Sequence, residues 1–271
     1  LTIAGYGGVN LLQSNGTPSV LNIGRAFCTV DSTGTIHTTI YQDLGQNEKM
    51  NPRGVVTDGT NNFWGCGNAY GTVYWNPSST KPVVFDSVPN SRAIRIVGNT
   101  LYVTINKADA TAGDISAGIF SFTDGSGNAA ALPRAAGSEL KLELKAKEPY
   151  TKIAGFDMNA EHTIAYTADA IAGIQKYVKT NGGWQFAYNI SIPQVIPSMA
   201  NNSTGCFGVV VDFSGPAPII YATTTEGYNG CVNSNRVVQI ADTGATATVT
   251  TVAQAGSTKI AYRGIDLTPE P

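Results

Sequence analysis

One strand is written into this chain three times. Arg53-Gly54-Val55-Val56-Thr57-Asp58-Gly59 returns at the C-terminal end as Arg263-Gly264-Ile265-Asp266-Leu267-Thr268-Pro269, and a looser copy, Arg92-Ala93-Ile94-Arg95-Ile96-Val97-Gly98, lies between them. Further short strands accompany the copies in similar order. Such a unit cannot bury its apolar face alone. Recurring roughly every 40–60 residues, it points to stacked units, a propeller or a solenoid.

Label the strands of one unit A to D, from the inside outward. Inner strands fall near residues 53–58, 92–97, 154–158 and 207–213, with a fifth at 263–268. B strands follow at 63–66, 101–104, 164–167 and 219–222, C strands at 72–75, 119–122, 174–177 and 237–240, and D strands at 83–85, 184–187 and 249–252. Several alternate apolar and polar residues, as half-buried strands do. The first residues fit the same plan, with B at 1–4, C at 25–30 and D at 36–40. That unit lacks only an A strand, which the C-terminal copy supplies. The expectation is an all-β propeller of four-stranded antiparallel blades. Five blades are visible in one domain over 1–271, and the C-terminal strand closes the ring so that no sheet edge is left at the join.

Turn chemistry agrees. Asp31-Ser32-Thr33-Gly34, Asp124-Gly125-Ser126-Gly127, Asn181-Gly182-Gly183 and Asp242-Thr243-Gly244 join C to D, and Asp58-Gly59-Thr60-Asn61 joins A to B. Asp and Asn start tight turns through their side chains, and Gly takes positive φ. Every A–B and C–D connection reads as short. The long segments, 6–24, 41–52, 105–117, 135–152, 193–206 and 224–235, are all B–C or D–A. Those connections leave the same side of an up-and-down blade, so one face is trimmed and the other elaborated, and long loops on a rigid scaffold are where function concentrates.

Composition narrows the function classes. Only 13% of residues are charged and the net charge is −2. Nothing forms the basic face that nucleic acid needs, and no apolar stretch approaches the ~20 residues of a membrane span. The chain starts at Leu1, carries no signal peptide and reads as a processed product. Four cysteines in a chain of low charge point to an oxidising, extracellular setting, with buried free thiols as the alternative. The layout suggests two disulfides, Cys206–Cys231 pinning two long loops of one blade and Cys28–Cys66 stapling neighbouring blades. The second needs Cα atoms within about 4.4–6.8 Å. Sequons at Asn15, Asn189, Asn201 and Asn202 fit a secreted glycoprotein, although Asn, Ser and Thr are so common here that their number decides nothing.

Site chemistry is thin. The two histidines, His37 and His162, fall on a D strand and beside an A–B turn, far apart in this layout. No catalytic set, metal site or cofactor motif is read. The one convergent charged feature is Arg53, Arg92 and Arg263. Each starts an inner strand, so all three belong at the channel mouth on the elaborated face, where planar guanidinium groups suit a uronate or sulfate. The competing reading is structural, an arginine spanning to backbone carbonyls of the next blade. Ala154 and Phe207 take the equivalent place in two other blades. Loop residues Lys107, Asp109, Tyr228 and Asn229 form a second candidate surface of the ring-and-amide kind that sugars use.

Taken together, Arg263-Gly264-Ile265 followed by Thr268-Pro269, Leu1-Thr2-Ile3-Ala4-Gly5-Tyr6-Gly7 and Asn51-Pro52-Arg53-Gly54 resemble a group of secreted β-propeller proteins of bacteria and algae. The likeness runs over essentially the whole chain and implies fold and export, but no established activity. Members of that group carry more sequence before the first of these strands. A sixth blade would follow if such a segment belongs here.

Two functions follow. One is an extracellular binding or structural protein, a surface, matrix or filament component whose partners are a glycan, another extracellular protein or further copies of itself. The other is a secreted carbohydrate-active enzyme of polysaccharide lyase or lactonase type, with the arginines neutralising a carboxylate and Lys49, Glu226 or Tyr228 as base. The absence of a catalytic set favours the first.

Overall fold

A computed structural model describes residues 1–6, 25–41, 52–68, 71–79, 82–85, 91–106, 116–193, 205–226, 235–256 and 261–267. Among these the chain is all β, and its strands join only their neighbours in sequence. The first sheet holds β1 (Thr2–Tyr6), β2 (Arg25–Val30) and β3 (Ile36–Tyr41). The second holds β4 (Pro52–Thr57), β5 (Phe63–Gly67), β6 (Thr72–Trp75) and the two-residue β7 (Val83–Val84). β8 (Ser91–Val97), β9 (Thr100–Ile105), β10 (Gly118–Thr123) and β11 (Glu139–Lys145) make the third. The fourth is β12 (Ile153–Met158), β13 (Ile164–Asp169), β14 (Gly173–Thr180) and β15 (Gly183–Ile190). The fifth is β16 (Cys206–Asp212), β17 (Ile219–Thr224), β18 (Arg236–Ala241) and β19 (Val249–Gln254). These antiparallel meanders are the blades of a five-bladed β-propeller. The chain divides into two compact units, Leu1–Glu143 with Thr268–Pro271, and Leu144–Leu267.

Within the first unit, the wedge between blades one and two is filled by Phe27, Val55, Phe63, Val73 and Trp75. Phe27 lies where a side chain on residue 65 would be, 2.4 Å from the place of a Cβ, so Gly65 is the socket for that ring. Between blades two and three sit Trp64, Cys66, Phe85, Ile94, Leu101 and Phe122. In the second unit, Tyr166, Ile174 and Ile190 of blade four meet Val209, Ile220, Val238 and Ile240 of blade five. The aromatic repeat position read from the sequence therefore supplies core: Trp64 and Tyr166 are fully buried.

The recurring glycine of the inner strand has a packing cause. A Cβ on Gly155 of β12 would lie 2.6 Å from the carbonyl oxygen of Phe207, and one on Gly208 of β16 would lie 2.6 Å from that of Arg263. On β4, a Cβ on Gly54 would meet Ile94 of β8 at 3.1 Å. Inner strands crowd at the narrow end of each wedge, and only a residue without a side chain lets the backbones approach this closely.

The turn readings hold. The Asp31 carboxylate accepts from the backbone N–H groups of Thr33 and Thr35, Asp58 from that of Thr60, and Asp124 from those of Ser126 and Asn128. Hydrogen bonds, that from the Thr33 hydroxyl foremost, hold the exposed Asp31 carboxyl down to about 2.

One expectation needs correction. The C–D connection of blade three is long, running over residues 124–138, and β11 takes the place of the loop expected at 135–152. The insertion is apolar enough to pack. Ala130 and Leu132 lie against the core of blades two and three, Trp64 Nε1 donates to Pro133 O at 2.6 Å, and Arg134 reaches Asp58 at 3.0 Å. The C-terminal copy of the inner strand is placed beside blade five. Among the described residues, 261–267 enters no strand ladder and the first sheet keeps three strands. The segment lies beside β16, where Asn235 accepts from Tyr262 N–H and donates to Tyr262 O, and the Thr223 hydroxyl donates to Arg263 O at 2.8 Å. Arg263 stands to Gly208 as Phe207 stands to Gly155, so the segment occupies an inner-strand place next to blade five.

Candidate binding face

The B–C and D–A connections carry the length. Tyr6 to Arg25, Ile105 to Gly118 and Thr224 to Arg236 are B–C; Tyr41 to Pro52 and Ile190 to Cys206 are D–A. At the opposite ends of the strands, every A–B turn and all but one C–D turn is short. Of the loop residues read as candidates, Lys107, Asp109, Tyr228 and Asn229 lie outside the described residues, as do Lys49 and the sequon residues Asn15, Asn201 and Asn202.

Arg53 and Arg92 lie at the starts of β4 and β8, at the looped ends. Arg53 is exposed, and its Nη1 donates to the backbone carbonyl of Ser91 at 3.3 Å, beside Arg92 on the adjacent inner strand. Arg263, in the second unit, lays its guanidinium 4.6 Å from the centre of the Phe207 ring. Residue 207, which breaks the arginine series in sequence, is thus the surface on which the next arginine stacks.

At the root of the connection between β17 and β18 lies a buried ion pair. Glu226 and Arg236 are 9% and 6% exposed. Arg236 donates from Nε and Nη2 to the two carboxylate oxygens, each at 2.6 Å. Nη2 also reaches Pro193 O at 2.8 Å and Nη1 reaches the Thr251 hydroxyl at 3.0 Å. The clamp ties the ends of four strands of blades four and five: β15, β17, β18 and β19. Both carboxylate oxygens of Glu226, one of the residues read as a candidate base, are engaged by Arg236 inside the fold. The two members of the clamp are separated by the loop they anchor, so no local motif marks the pair.

A second buried cluster faces the tight-turn side. The Asp242 carboxylate accepts from the hydroxyls of Tyr166 and Tyr188 and from Lys176 Nζ, the last at 2.6 Å. The ammonium also stands over both tyrosine rings, at 5.6 and 5.5 Å. Burial works to raise the Asp242 pKa, but the hydrogen bonds from Lys176 and the tyrosines outweigh it and hold the carboxyl below its ordinary value. For Lys176, burial pulls down while the bonds to Asp242 and Tyr188 pull up, and the net shift is upward. This is a cross-blade tie inside the second unit. The sequence showed Asp242 only as a turn residue and Tyr166 only as an aromatic repeat.

No disulfide forms among Cys28, Cys66 and Cys206. The expected Cys28–Cys66 staple fails by side: Phe27 fills the wedge toward blade two, so Cys28, its strand neighbour, faces away, and Cys66 points into the core toward blade three. Cys206 is fully buried, and burial pushes its thiol far above the ordinary range. Its proposed partner Cys231 lies outside the described residues. At the Asn189 sequon, Nδ2 donates to the Ser191 hydroxyl at 3.2 Å and Oδ1 accepts from Gln175 at 2.7 Å. His37 meets Asp31 at 3.3 Å, and His162 sits in the β12–β13 turn at φ 55°.

No family model matches the chain, and no curated protein does. Solved structures do. The extracellular domain of a putative one-component system from B. thetaiotaomicron matches with TM-score 0.51 at 13% identity, over 88% of this chain and 27% of that one. A putative 6-phosphogluconolactonase from Bacteroides fragilis matches with TM-score 0.51 at 13% identity, over 94% and 67%. One from Bacteroides uniformis gives 0.51 at 12% identity, over 93% and 68%. The chain spans about a quarter of the first of these. Identity this low establishes the shared fold and leaves activity to the chain's own residues.

Proposed function

We propose that the protein is an extracellular binding or structural propeller that engages a glycan or another extracellular protein through its B–C and D–A connections. The observation that carries this is the asymmetry of the blades. Nearly all their loop length leaves one end of the strands, while the other end is closed by side-chain-capped turns. The Glu226–Arg236 clamp supports it, since a buried ion pair adds little stability over apolar packing but holds the root of a long connection in one place. Arg53 and Arg92, side by side at that end, suit an anionic group, and uronate- or sulfate-bearing glycans supply one. The buried carboxylates of Glu226 and Asp242 are engaged by Arg236 and Lys176 in the fold, which favours binding over turnover.

The test is a glycan and matrix-protein array probed with the purified chain, with Arg53→Ala/Arg92→Ala and a variant whose residues 227–234 are replaced by a Gly-Ser linker. Binding to acidic glycans should fall at least tenfold in the arginine variant. Array-wide silence, or binding that both variants leave intact, would remove this reading. Release of unsaturated or reducing ends from polygalacturonate would replace it with an enzyme.

A further inference from the structure

Among the described residues, four inner strands are bulged at the same place. The ladder slips between Pro52 and Gly54, Ser91 and Ile94, Ile153 and Gly155, and Cys206 and Val209. In these blades the slip falls at the looped end and takes in the residue of the arginine series: Arg53, Arg92, Ala154 and Phe207. A bulge drops a residue out of the pairing and re-aims its side chain, and bulges gather beside functional sites. Arg53 and Arg92 are therefore set by a break in the ladder, not by the regular pairing that packs Ile94 into the core of blades two and three.

In the first unit a layer of buried hydroxyls lies beneath these two arginines. On blade three, Arg92 and Ala93 stand opposite Thr104 alone, and the Ala93 N–H donates to the Thr104 hydroxyl at 3.0 Å. Arg53 reaches across from the adjacent inner strand. Its Nη1 donates to the carbonyl of Ser91, the residue at which the blade-three bulge begins. The Ser91 hydroxyl in turn lies 3.4 Å from that of Thr72, at the start of β6. Thr72 and Thr104 are fully buried and Ser91 is 1% exposed. Hydroxyls at this depth cost desolvation and return only modest net stability when paired. What they do here is fix backbone: Thr104 holds the bulge that carries Arg92, and Thr72 holds the residue on which Arg53 rests. Blade five, in the second unit, builds the same bulge with Phe207 in the arginine place, and there the Thr223 hydroxyl takes the Gly208 N–H at 2.9 Å.

We infer that Thr72, Ser91 and Thr104 are positioning residues that preset Arg53 and Arg92 for a carboxylate, so that the ligand class at this end is a uronate-bearing chain in preference to a sulfated one; this refines the binding function proposed above and rests on it. A guanidinium meets a carboxylate as one planar fork meets another, through two parallel N–H···O bonds. Such a geometry rewards an orientation fixed beforehand, because the ordering is then done in folding and not in binding. A sulfate ester presents its oxygens around a tetrahedral sulfur and is reached by guanidinium groups in many orientations, so a fixed pair gains little on it.

The test is titration calorimetry of the full chain with oligogalacturonate, with its methyl ester and with dextran sulfate of equal charge, repeated on Thr104→Val, Thr104→Ser, Ser91→Ala and Thr223→Val. Galacturonate should bind at least tenfold more tightly than dextran sulfate, and the ester should not bind. Thr104→Val should weaken galacturonate binding at least tenfold and erase the preference, and Thr104→Ser should restore both. Ser91→Ala should act in the same direction without touching the Thr104 bond. Thr223→Val removes the same kind of bond beneath Phe207 and should leave the affinity within about twofold, whereas a merely structural role for these hydroxyls would make Thr104→Val and Thr223→Val behave alike. Thermal unfolding identifies a variant that fails to fold, in which case the other hydroxyl of the pair decides. Equal affinity for the two anions, binding of the ester, parental affinity in both Thr104→Val and Ser91→Ala, or a serine that does not rescue would overturn the inference and leave the binding function standing. Silence toward both anions overturns it as well, and the binding function falls with it only if the whole array is silent.

Discussion

Single residues here carry weight through burial more than through charge. Glu226→Gln leaves Arg236 buried without its counter-charge and should cost about 3–5 kcal/mol in urea denaturation, whereas replacing both by apolar residues of similar size should come much nearer to neutral. The Asp242 cluster makes a pH prediction. Its carboxyl titrates below the ordinary 3.8 in the folded state, so the unfolded chain binds the proton first. The stabilisation is therefore fully present above about pH 4 and is lost as pH falls through the lowered folded value. Asp242→Asn should flatten the fall in stability between pH 4 and pH 2, and at neutral pH should cost about 3 kcal/mol by stranding Lys176. Denaturation midpoints of the two proteins across that range decide it.

Elements are set by where backbones can approach. Gly155→Ala places a methyl group 2.6 Å from the Phe207 carbonyl, and the two inner strands must part to admit it. A loss of about 3 kcal/mol is expected, against a change within about 0.5 kcal/mol for Gly256→Ala, where nothing lies within 4 Å. Thermal unfolding of the pair checks this. The Arg-Gly lead of the inner strand was legible as a repeat, but its reason was not. A sequence shows that a glycine recurs and cannot show the carbonyl of the next blade pressed against it. The third blade's C–D insertion was misplaced for a related reason: Asp124-Gly125 signals a turn, yet nothing local says that Pro133 will receive the Trp64 N–H from another blade.

At the scale of the molecule, strand order, blade count and the inequality of the two ends of the blades followed from periodicity and turn residues, which are local properties. The candidate site was legible only in outline. Arg53 and Arg92 were placed at the looped end by their position in the repeat, whereas no local motif marks Glu226 and Arg236, at the two ends of one connection, as an ion pair. The Cys28–Cys66 pairing failed because a strand's side-chain alternation turns neighbours to opposite faces, and a face is decided only when Phe27 is seen to take one of them.

By itself the sequence determined the period of the strands, the tight turns and the inner-strand motif, because each depends on a few adjacent residues. Tertiary structure alone decided which groups are buried together: Asp242 with Lys176 and two tyrosines, Gly208 under Arg263, and the 261–267 segment beside β16 outside any sheet. Those depend on distances between segments far apart in the chain, which composition and spacing do not contain.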